Sequence, residues 1–329
     1  MPARSIVEKL ASLRTTLPQE ATYLIGCSGG RDSVVLLDAL LEADYGKLVV
    51  CHLNHRLRGT AAEEDANFIV ELAQTYGLES EIGAVDVRRL AQKRKLSIET
   101  AGREARREFF AKVARKRKCQ RVFLAHHADD QVETVLMNLF RGAAARGASG
   151  MRMISQSEGG LTLIRPLLDC WREEIAAYAR KHALKWREDA SNASLDPLRN
   201  RIRHELIPAL SQMCQRDVRR TIWKSAAIAE VEDALLSGLT DQAWLDVAAL
   251  DGLSVVALRA QPLAIRRRLV ERWLRESAVP TVGFSEITGI SDLIEPAAAV
   301  SKVNLPGGWR ARRRSGLLFL DRQKPQPSS

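Results

Sequence analysis

The chain of 329 residues has no uninterrupted run of eighteen apolar residues, so a membrane-spanning helix is not expected. It has only five cysteines, and no two of them form a C-x-x-C pair. This cysteine usage indicates a reducing, cytoplasmic location and argues against a structural zinc centre and against paired-thiol sulfur chemistry. The N-terminal segment also lacks the apolar core of a signal peptide, because an amphipathic stretch containing Glu8 follows Ser5.

The stretch from Thr22 to Leu41 lacks the lysine of a Walker A loop, yet it has the layout of a phosphate site. Residues 23–27 are short and apolar and predict a buried strand, and the apolar spacing from Asp32 onward predicts a helix. The glycine-bearing loop between them, at residues 28–33, would present backbone N–H groups at the positive end of that helix. Without the lysine, transfer of a terminal phosphoryl group is not indicated.

The loop itself is Ser28-Gly29-Gly30-Arg31-Asp32-Ser33, and it supplies two hydroxyls and one carboxylate. The hydroxyls of Ser28 and Ser33 can donate to phosphate, whereas Asp32 would repel phosphate unless Mg²⁺ lay between them. The alternative is a tight turn in which Asp32 merely caps the helix. Since the whole hexapeptide S-G-G-x-D-S resembles the loop of the ATP pyrophosphatase superfamily, we favour a site for ATP and Mg²⁺ built from all six residues.

Polar clusters follow two further predicted strands, at residues 47–53 and 121–125. The first cluster contains His52, Asn54 and His55, and the second is His126-His-Ala-Asp-Asp-Gln-Val-Glu-Thr134. Because the carboxyl ends of strands line the ligand crevice of a doubly wound sheet, we expect both clusters beside the loop. His52 and Asn54 are thus candidate ATP ligands, although ordinary loop hydrogen bonding is the alternative for each.

In the second cluster, Asp129 or Asp130 is placed to hold a second face of Mg²⁺, with His126 orienting the carboxylate or a substrate oxygen. Two imidazoles and two carboxylates within five residues also suit zinc. Zinc ranks lower, because hard oxygen ligands and ATP favour Mg²⁺.

Alternating strands and helices across residues 20–180 predict an α/β fold with a doubly wound, mainly parallel sheet. Further strands are expected at 79–87 and 161–164, further helices at 5–17, 60–76, 97–118 and 171–182, and a mobile loop at 142–157. Beyond Pro208 the pattern is helical at 210–237 and 261–277, with a β-like piece at 303–309. We therefore expect a catalytic domain at 1–208, a smaller, mostly helical C-terminal domain at 209–322 and a disordered tail at 323–329.

The formal net charge of +10 indicates a polyanionic partner. Arginine neutralises phosphate and stacks on bases, so three arginine clusters in the C-terminal half favour RNA over a merely solvated basic face. These clusters lie around Arg216 to Lys224, Arg266 to Arg275 and Arg310 to Arg314.

Seven motifs occur in an order that is similar to one family. They are the loop at 28–33, His52-x-Asn-His-x-Leu-Arg58, Arg103-x-x-Arg106, His126-His-x-Asp-Asp-Gln-x-Glu-Thr134, Arg165-Pro-Leu-Leu168, Glu188-Asp-x-Ser-Asn192 and Arg199-Asn-Arg-Ile-Arg-His204. The chain thereby resembles the bacterial tRNA(Ile)-lysidine synthases. The resemblance is close over residues 20–208, and the remainder is similar only in length and charge.

The resemblance implies a two-step reaction. The C2 oxygen of the wobble cytidine, in an isoleucine tRNA with the CAU anticodon, attacks the α-phosphate of ATP and releases pyrophosphate. The ε-amine of free lysine then attacks C2 and displaces AMP.

The resemblance also implies residue roles. Asp32 and Asp130 would hold Mg²⁺, with His126 nearby, and Arg103 would face the α-phosphate. Contacts with tRNA or lysine are expected from other arginines, namely Arg106, Arg141, Arg199, Arg201, Arg203, Arg266, Arg267 and Arg268. The oligomeric state stays open, a homodimer included.

Two departures from the family pattern stand out. Gly102 and Arg107 replace Ala and Tyr of A-A-R-x-x-R-Y, and the segment after Arg141 carries less glycine than R-G-x-G-x-x-G-L.

Three other functions fit the sequence less well. A cytidine-thiolating tRNA enzyme would need paired cysteines, which the chain does not have, and a glutamine-using synthetase would need a second nucleophile domain, which is not apparent. A non-catalytic RNA-binding protein would leave Asp32, Asp129 and Asp130 at an anion site without a reason.

Overall fold

Short apolar segments in the first half of the chain become the strands of one six-stranded sheet, with strand order β3-β2-β1-β4-β6-β5. The computed structural model describes residues 5–57, 60–142, 145–157, 159–187, 197–280, 282–295 and 301–322. Within these residues, all neighbouring strands of the sheet pair in parallel except β5 and β6. The strands are β1 Tyr23–Gly26, β2 Leu48–Asn54, β3 Glu79–Ala84, β4 Arg121–Phe123, β5 Ile154–Gln156 and β6 Thr162–Ile164.

The central strand β1 pairs with β2 on one side and with β4 on the other. Its residues Tyr23, Leu24 and Ile25 have no exposed surface, as expected for a parallel strand that is covered on both faces. The ring of Tyr23 packs against those of Tyr45 and Phe123, with centroids 5.7 and 4.7 Å away.

Helices cover both faces of this sheet. The core on one face contains residues of α1, α2, α3 and α8, and the core on the other contains residues of α5. The helices up to residue 213 are α1 Ile6–Ala11, α2 Arg31–Glu42, α3 Thr60–Thr75, α4 Val87–Arg94, α5 Ile98–Arg117, α6 Ala128–Phe140, α7 Ala145–Ala148, α8 Arg172–Lys181, α9 Pro197–Arg201 and α10 Ile207–Met213, with a π-helical turn at Ile202–Leu206.

The α/β class with a mainly parallel sheet is confirmed, and the differences are local. The third strand ends at Ala84 rather than at Val87, because Asp86 caps a new helix: its Oδ1 accepts from the backbone N–H of Arg89 at 2.9 Å. The segment expected to be a mobile loop contains β5, whose pairing with β6 is antiparallel. Residues 188–192 and 323–329, together with Arg58, lie outside the described residues.

The chain divides into two compact units, Met1–Glu230 and Val231–Ser329. Pro208 lies within a continuous helical stretch from Pro197 to Met213, two residues after the π-helical turn Ile202–Leu206. Ile207 and Val218 are buried in the same core cluster as Val132 of α6. Helix α10 and the beginning of the next helix, at Val218, therefore belong to the first unit.

The second unit has its own core and more β-structure than the sequence pattern indicates. Residues such as Leu269, Trp273, Ile290 and Leu318 form its core, and a five-stranded antiparallel sheet has the order β7-β8-β11-β10-β9. Its elements are α11 Val218–Val247, which begins in the first unit, β7 Ala248–Ala249, β8 Gly252–Ser254, α12 Val255–Ala260, α13 Leu263–Glu276, α14 Phe284–Leu293, β9 Lys302–Asn304, β10 Trp309–Arg314 and β11 Leu317–Arg322. None of the described helices has the length and apolar character needed to cross a membrane.

Candidate active site

A cavity of about 590 Å³ lies in the first unit, where β1, β2 and β4 end. Open α/β sheets bind ligands outside the carboxyl ends of their strands. The cavity brings together residues of the loop, residues of both polar clusters and arginines from elsewhere in the chain. The loop and cluster residues are Ser28, Gly30, Arg31, Asp32, Ser33, His52, Asn54, His55, His126, His127 and Asp130, and the arginines include Arg106, Arg172 and Arg203.

The loop after β1 leaves the start of α2 open to an anion. Gly30 is the N-cap of α2, and no side chain caps the helix there, so the first N–H groups remain available. Gly29 has φ +86°, a left-handed backbone conformation that favours glycine. Asp32 lies within the first turn, so the alternative in which it caps α2 is wrong.

The two loop serines have different roles. The Ser33 hydroxyl donates to the carbonyl of Gly30 at 2.8 Å and accepts from the N–H of Ser28 at 3.2 Å, so its proton holds the loop closed. The Ser28 side chain is exposed and accepts from the N–H of Gly30 at 3.3 Å. The geometry therefore leaves Ser28, but not Ser33, placed to donate to a phosphate.

His127 lies at the centre of three carboxylates. Its Nε2 is 3.5 Å from Asp32 Oδ2 and 3.5 Å from Asp130 Oδ2, and its Nδ1 is 3.6 Å from Asp129 Oδ2. Burial alone would lower the pKa of His127, but these carboxylates outweigh it and raise the pKa. Sequence reasoning selected His126 and missed this residue.

The pKa of Asp32 is lowered to about 2, because its hydrogen bond with His127 and the charges of His127 and Arg31 outweigh the raising effect of burial. Burial likewise raises the pKa of Asp130, but the two histidines and Arg199 outweigh it and lower the pKa. The ionised carboxylates of Asp32 and Asp130 both lie near His127 Nε2 and beside the uncapped start of α2. This arrangement fits a hard cation that binds together with phosphate.

The structure distinguishes the two adjacent aspartates. Asp129 does not line the cavity: it accepts from the N–H of Arg172 at 3.0 Å and from Arg219 Nη1 at 2.7 Å. It therefore fastens α6 to α8 and α11. Asp130 does line the cavity and accepts from the N–H of His127 at 3.1 Å.

His52 and Asn54 reach the cavity from the end of β2. His52 Nδ1 lies 2.9 Å from the carbonyl of Cys27, which places the ring proton on that nitrogen. The Asn54 amide donates to the carbonyl of Ala62 at 2.9 Å, and its Oδ1 accepts from the N–H of Arg56 at 2.8 Å. Asn54 thus shapes the loop with both ends of its amide.

His126 lines the same cavity as a neutral imidazole. The pKa of His126 is lowered to about 4, mainly by burial. The positive charges of Arg165, Arg106 and Arg199 lower it further, and only the charge of Asp130 opposes them. Its Nδ1 is buried and has no hydrogen-bond partner among the described residues.

The two arginines of the R-x-x-R motif point to different places. Arg106 lines the cavity, and partial removal of water and the charge of Arg103 lower its pKa. Arg103 does not line the cavity: its side chain is 60% exposed, and its Nη2 lies 2.5 Å from Glu99 Oε1 one turn earlier on α5.

The arginine of the loop, Arg31, interacts with its neighbour in sequence. It donates from Nε to Asp32 Oδ1 at 3.1 Å.

Arg203 lies in the π-helical turn and links two acids. It donates from Nε and Nη2 to the carboxylate of Glu133 at 2.6 and 3.0 Å, and Nη2 lies 3.4 Å from Asp130 Oδ1. Glu133 is 1% exposed, and burial raises its pKa despite Arg203. Sequence reasoning did not select Glu133, although it belongs to the second polar cluster.

Three other arginines selected from the sequence, Arg141, Arg199 and Arg201, are not among the residues that line the cavity, whereas Arg56 and Arg187 do line it. Arg199 Nη2 donates to Thr134 Oγ1 at 3.2 Å, and Arg201 is exposed and pairs with Glu205 one turn later. Arg141 is exposed at the end of α6. Residues 199–203 are helical, so the extended alternative for the alternating arginines is wrong.

In the second unit, two of the three arginines selected on α13 are used internally. Arg266 Nη1 lies 2.6 Å from Glu295 Oε1, and Arg268 Nη2 lies 2.7 Å from Asp233 Oδ1. The guanidinium of Arg267 lies over the ring of Phe284, 5.2 Å from its centroid.

Comparisons with known proteins identify the family to which the chain is similar. The PP-loop domain family matches residues 2–210, and the TilS substrate binding domain matches residues 253–319. A tRNA(Ile)-lysidine synthase of Geobacter sulfurreducens is 39% identical over 86% of this chain and 61% of its own length. The corresponding protein of Solibacter usitatus is 35% identical over 87% of this chain and 64% of its own length. This chain thus spans less than two thirds of the length of either relative.

Among solved structures, the U34-tRNA thiolase NcsA from Methanococcus maripaludis, with its [4Fe-4S] cluster, is similar in fold. Its TM-score is 0.56 at 19% identity, over 68% of this chain and 78% of that one. The PP-loop match covers more than half of the sequence, and a tRNA(Ile)-lysidine synthase of Caldanaerobacter subterraneus is 31% identical over 94% of this chain and 67% of its own length, so the chain belongs to the PP-loop family and, within it, to the tRNA(Ile)-lysidine synthases.

Proposed function

We propose that this protein consumes ATP to join free lysine to C2 of the wobble cytidine in an isoleucine tRNA with the CAU anticodon. The observation that carries the proposal is the pair of ionised carboxylates, Asp32 and Asp130, beside the uncapped start of α2. The names of the relatives from Geobacter sulfurreducens and Solibacter usitatus support the choice of substrate.

In the first step, the cytidine C2 oxygen bonds to the α-phosphorus of ATP and pyrophosphate leaves. The N–H groups at the start of α2 and the Ser28 hydroxyl bind the phosphates of ATP. Asp32 and Asp130 would hold Mg²⁺, which neutralises charge on the leaving pyrophosphate. Arg106 lines the same cavity and neutralises charge that builds at the α-phosphate.

In the second step, the lysine amine bonds to C2 and AMP departs. Adenylation is needed because the amide-like oxygen of cytidine is a very poor leaving group, whereas AMP is a good one. Arg203 acts here by positioning, since its guanidinium joins Asp130 to Glu133. The exposed arginines Arg141 and Arg201 suit contacts with the tRNA backbone. Arg267 suits the same role, because Arg266 and Arg268 form ion pairs with acidic residues whereas Arg267 has none among the described residues.

Labelled lysine tests the proposal directly. The protein is incubated with Mg²⁺, ATP, labelled lysine and either the isoleucine tRNA with the CAU anticodon or an elongator methionine tRNA. We expect label in the isoleucine tRNA only, and none when ATP is omitted. If AMP is formed in a tRNA-dependent way but no lysine is incorporated, the proposed use of ATP stands and lysine is not the nucleophile. Absence of both signals would favour a non-catalytic RNA-binding protein.

Substituting the two arginines of α5 separately tests which one serves the α-phosphate. We expect Arg106→Ala to slow tRNA-dependent AMP formation about 100-fold or more, because it removes a preorganised cation from the cavity. Arg103→Ala is the matched control, and its effect should be within about threefold, because Arg103 pairs with Glu99 at the surface. The reverse ranking of the two rates would return the role to Arg103.

A further inference from the structure

A second group of titratable side chains lies at the far end of α2 from the ATP loop. Asp38 and Glu42 are one turn apart near the end of that helix, and His182 is the C-cap of α8. His182 Nδ1 lies 3.6 Å from Asp38 Oδ2 and 3.2 Å from Glu42 Oε1, and the three donor atoms all lie within 4.8 Å of one another. None of these residues lines the ATP cavity.

The distances from His182 to the two carboxylates are compatible with a shared ion. A charge-assisted N–H···O bond is about 2.7–2.9 Å long, shorter than either His182 distance. Ligands at about 2.0–2.1 Å from a tetrahedral Zn²⁺ ion are about 3.3–3.4 Å from one another. The distances of 3.2 and 3.6 Å fall on either side of that separation.

The electrostatic surroundings also favour a cation. Three helices end at this place: α2 at Glu42, α8 just before His182, and α3 just before Tyr76. Helix C-termini carry partial negative charge, which adds to that of the two carboxylates. In the part of the chain that the structure describes, no lysine or arginine nitrogen lies within 4.0 Å of Asp38 or Glu42, although Arg180 and Lys181 occupy the last turn of α8.

An outer shell holds the three side chains in place. The Tyr178 hydroxyl donates to Asp38 Oδ2 at 2.9 Å and to Glu42 Oε2 at 3.0 Å, and the Tyr76 hydroxyl donates to Asp38 Oδ1 at 2.7 Å. The Tyr178 and His182 rings are stacked, with centroids 3.9 Å apart. Such partners orient metal ligands. Glu42 Oε1 is left to face His182, and the Glu42 side chain is 44% exposed, so water has access.

We propose that Asp38, Glu42 and His182 form a binding site for a divalent transition-metal ion, Zn²⁺, with water as the fourth ligand. The donors are one nitrogen and two oxygens, a set that zinc accepts, so the lack of paired cysteines does not bear on this site. The bound ion fastens the end of α2, whose first turn carries Asp32, to the end of α8. This site is independent of the lysidine reaction.

Calorimetric titration of the full chain with Zn²⁺ alone, in buffer with excess Mg²⁺, tests the site. Wild type should bind one equivalent, and affinity should fall about 100-fold in His182→Gln and in Glu42→Gln. Glu71→Gln, an exposed carboxylate on α3, is the control and should bind as wild type does. Co²⁺ in place of Zn²⁺ should give the visible absorption of tetrahedral coordination in wild type and lose it in both variants.

Two results would overturn the proposal. One is the absence of saturable Zn²⁺ binding by wild type, which would make the cluster a hydrogen-bonded link between helices. The other is equal affinity in wild type and both variants, which would place any bound Zn²⁺ elsewhere, such as at His126 and His127. Circular dichroism checks that each variant is folded. If His182→Gln does not fold, Glu42→Gln still tests the site, because the Glu42 side chain is half-exposed and its substitution should be tolerated.

Discussion

Replacement of Asp32 by Asn is expected to slow tRNA-dependent pyrophosphate release by about 10³-fold or more while tRNA affinity changes little. The substitution keeps the shape of the side chain but removes the charge that would hold Mg²⁺, and such metal contacts are worth several kcal/mol in the transition state. Asp32 lies beside the phosphate loop, in the first turn of α2. The measurement is single-turnover release of pyrophosphate with saturating tRNA, together with tRNA affinity by filter binding.

Asp44→Asn is the matched control for this experiment. Asp44 follows α2, its side chain is 75% exposed, and it pairs with Arg14 at 2.8 Å. Its φ of +63° is one that asparagine also adopts readily. The control should release pyrophosphate at the wild-type rate. Asp32→Asn acting at that same rate would remove Asp32 from the mechanism.

Replacement of Arg268 by Ala is expected to lower the free energy of unfolding of the second unit by about 3 kcal/mol. Arg268 Nη2 lies 2.7 Å from Asp233 Oδ1, and Asp233 has no exposed surface. The variant removes this guanidinium partner from a carboxylate that stays buried, which is costly. Urea unfolding followed by tryptophan fluorescence measures the effect, since Trp244, Trp273 and Trp309 lie in this unit.

Arg275→Ala is the control on the same helix. Arg275 is 56% exposed and pairs with Glu271 one turn earlier, so its loss should cost at most about 0.5 kcal/mol. Arg268→Ala with wild-type stability but weakened tRNA binding would make Arg268 a surface contact with RNA. Because Arg266 and Arg268 both form ion pairs within this unit, we expect charge reversal at these two positions to destabilise the unit itself.

The ATP loop was predictable because it is a local structure. A short apolar strand, glycine at a position that requires positive φ, and a helical apolar pattern from Asp32 onward occupy consecutive residues. The same locality made the α/β class predictable, since each strand and each following helix has its own apolar period. Strand β5 was missed because its pairing with β6, at the sheet edge, is set by a neighbour rather than by its own short sequence.

The choice between neighbouring side chains was not predictable in this way. His126 and His127 are adjacent and chemically identical, yet one is neutral beside arginines and the other is surrounded by three carboxylates. Asp129 and Asp130 differ likewise, because Arg219, ninety residues later, engages only the first. These environments consist of residues that are distant in sequence, so no local pattern encodes them.

By itself, the sequence determined the strand–loop–helix at Ser28–Ser33, the parallel α/β class and the family. Only the tertiary structure decided that Arg106 rather than Arg103 lines the cavity, and that the first unit extends past Pro208 to Glu230. The physical reason is the range of the forces involved. Backbone conformation and apolar periodicity act between residues a few positions apart, whereas burial and ion pairing depend on which distant segments the fold brings together.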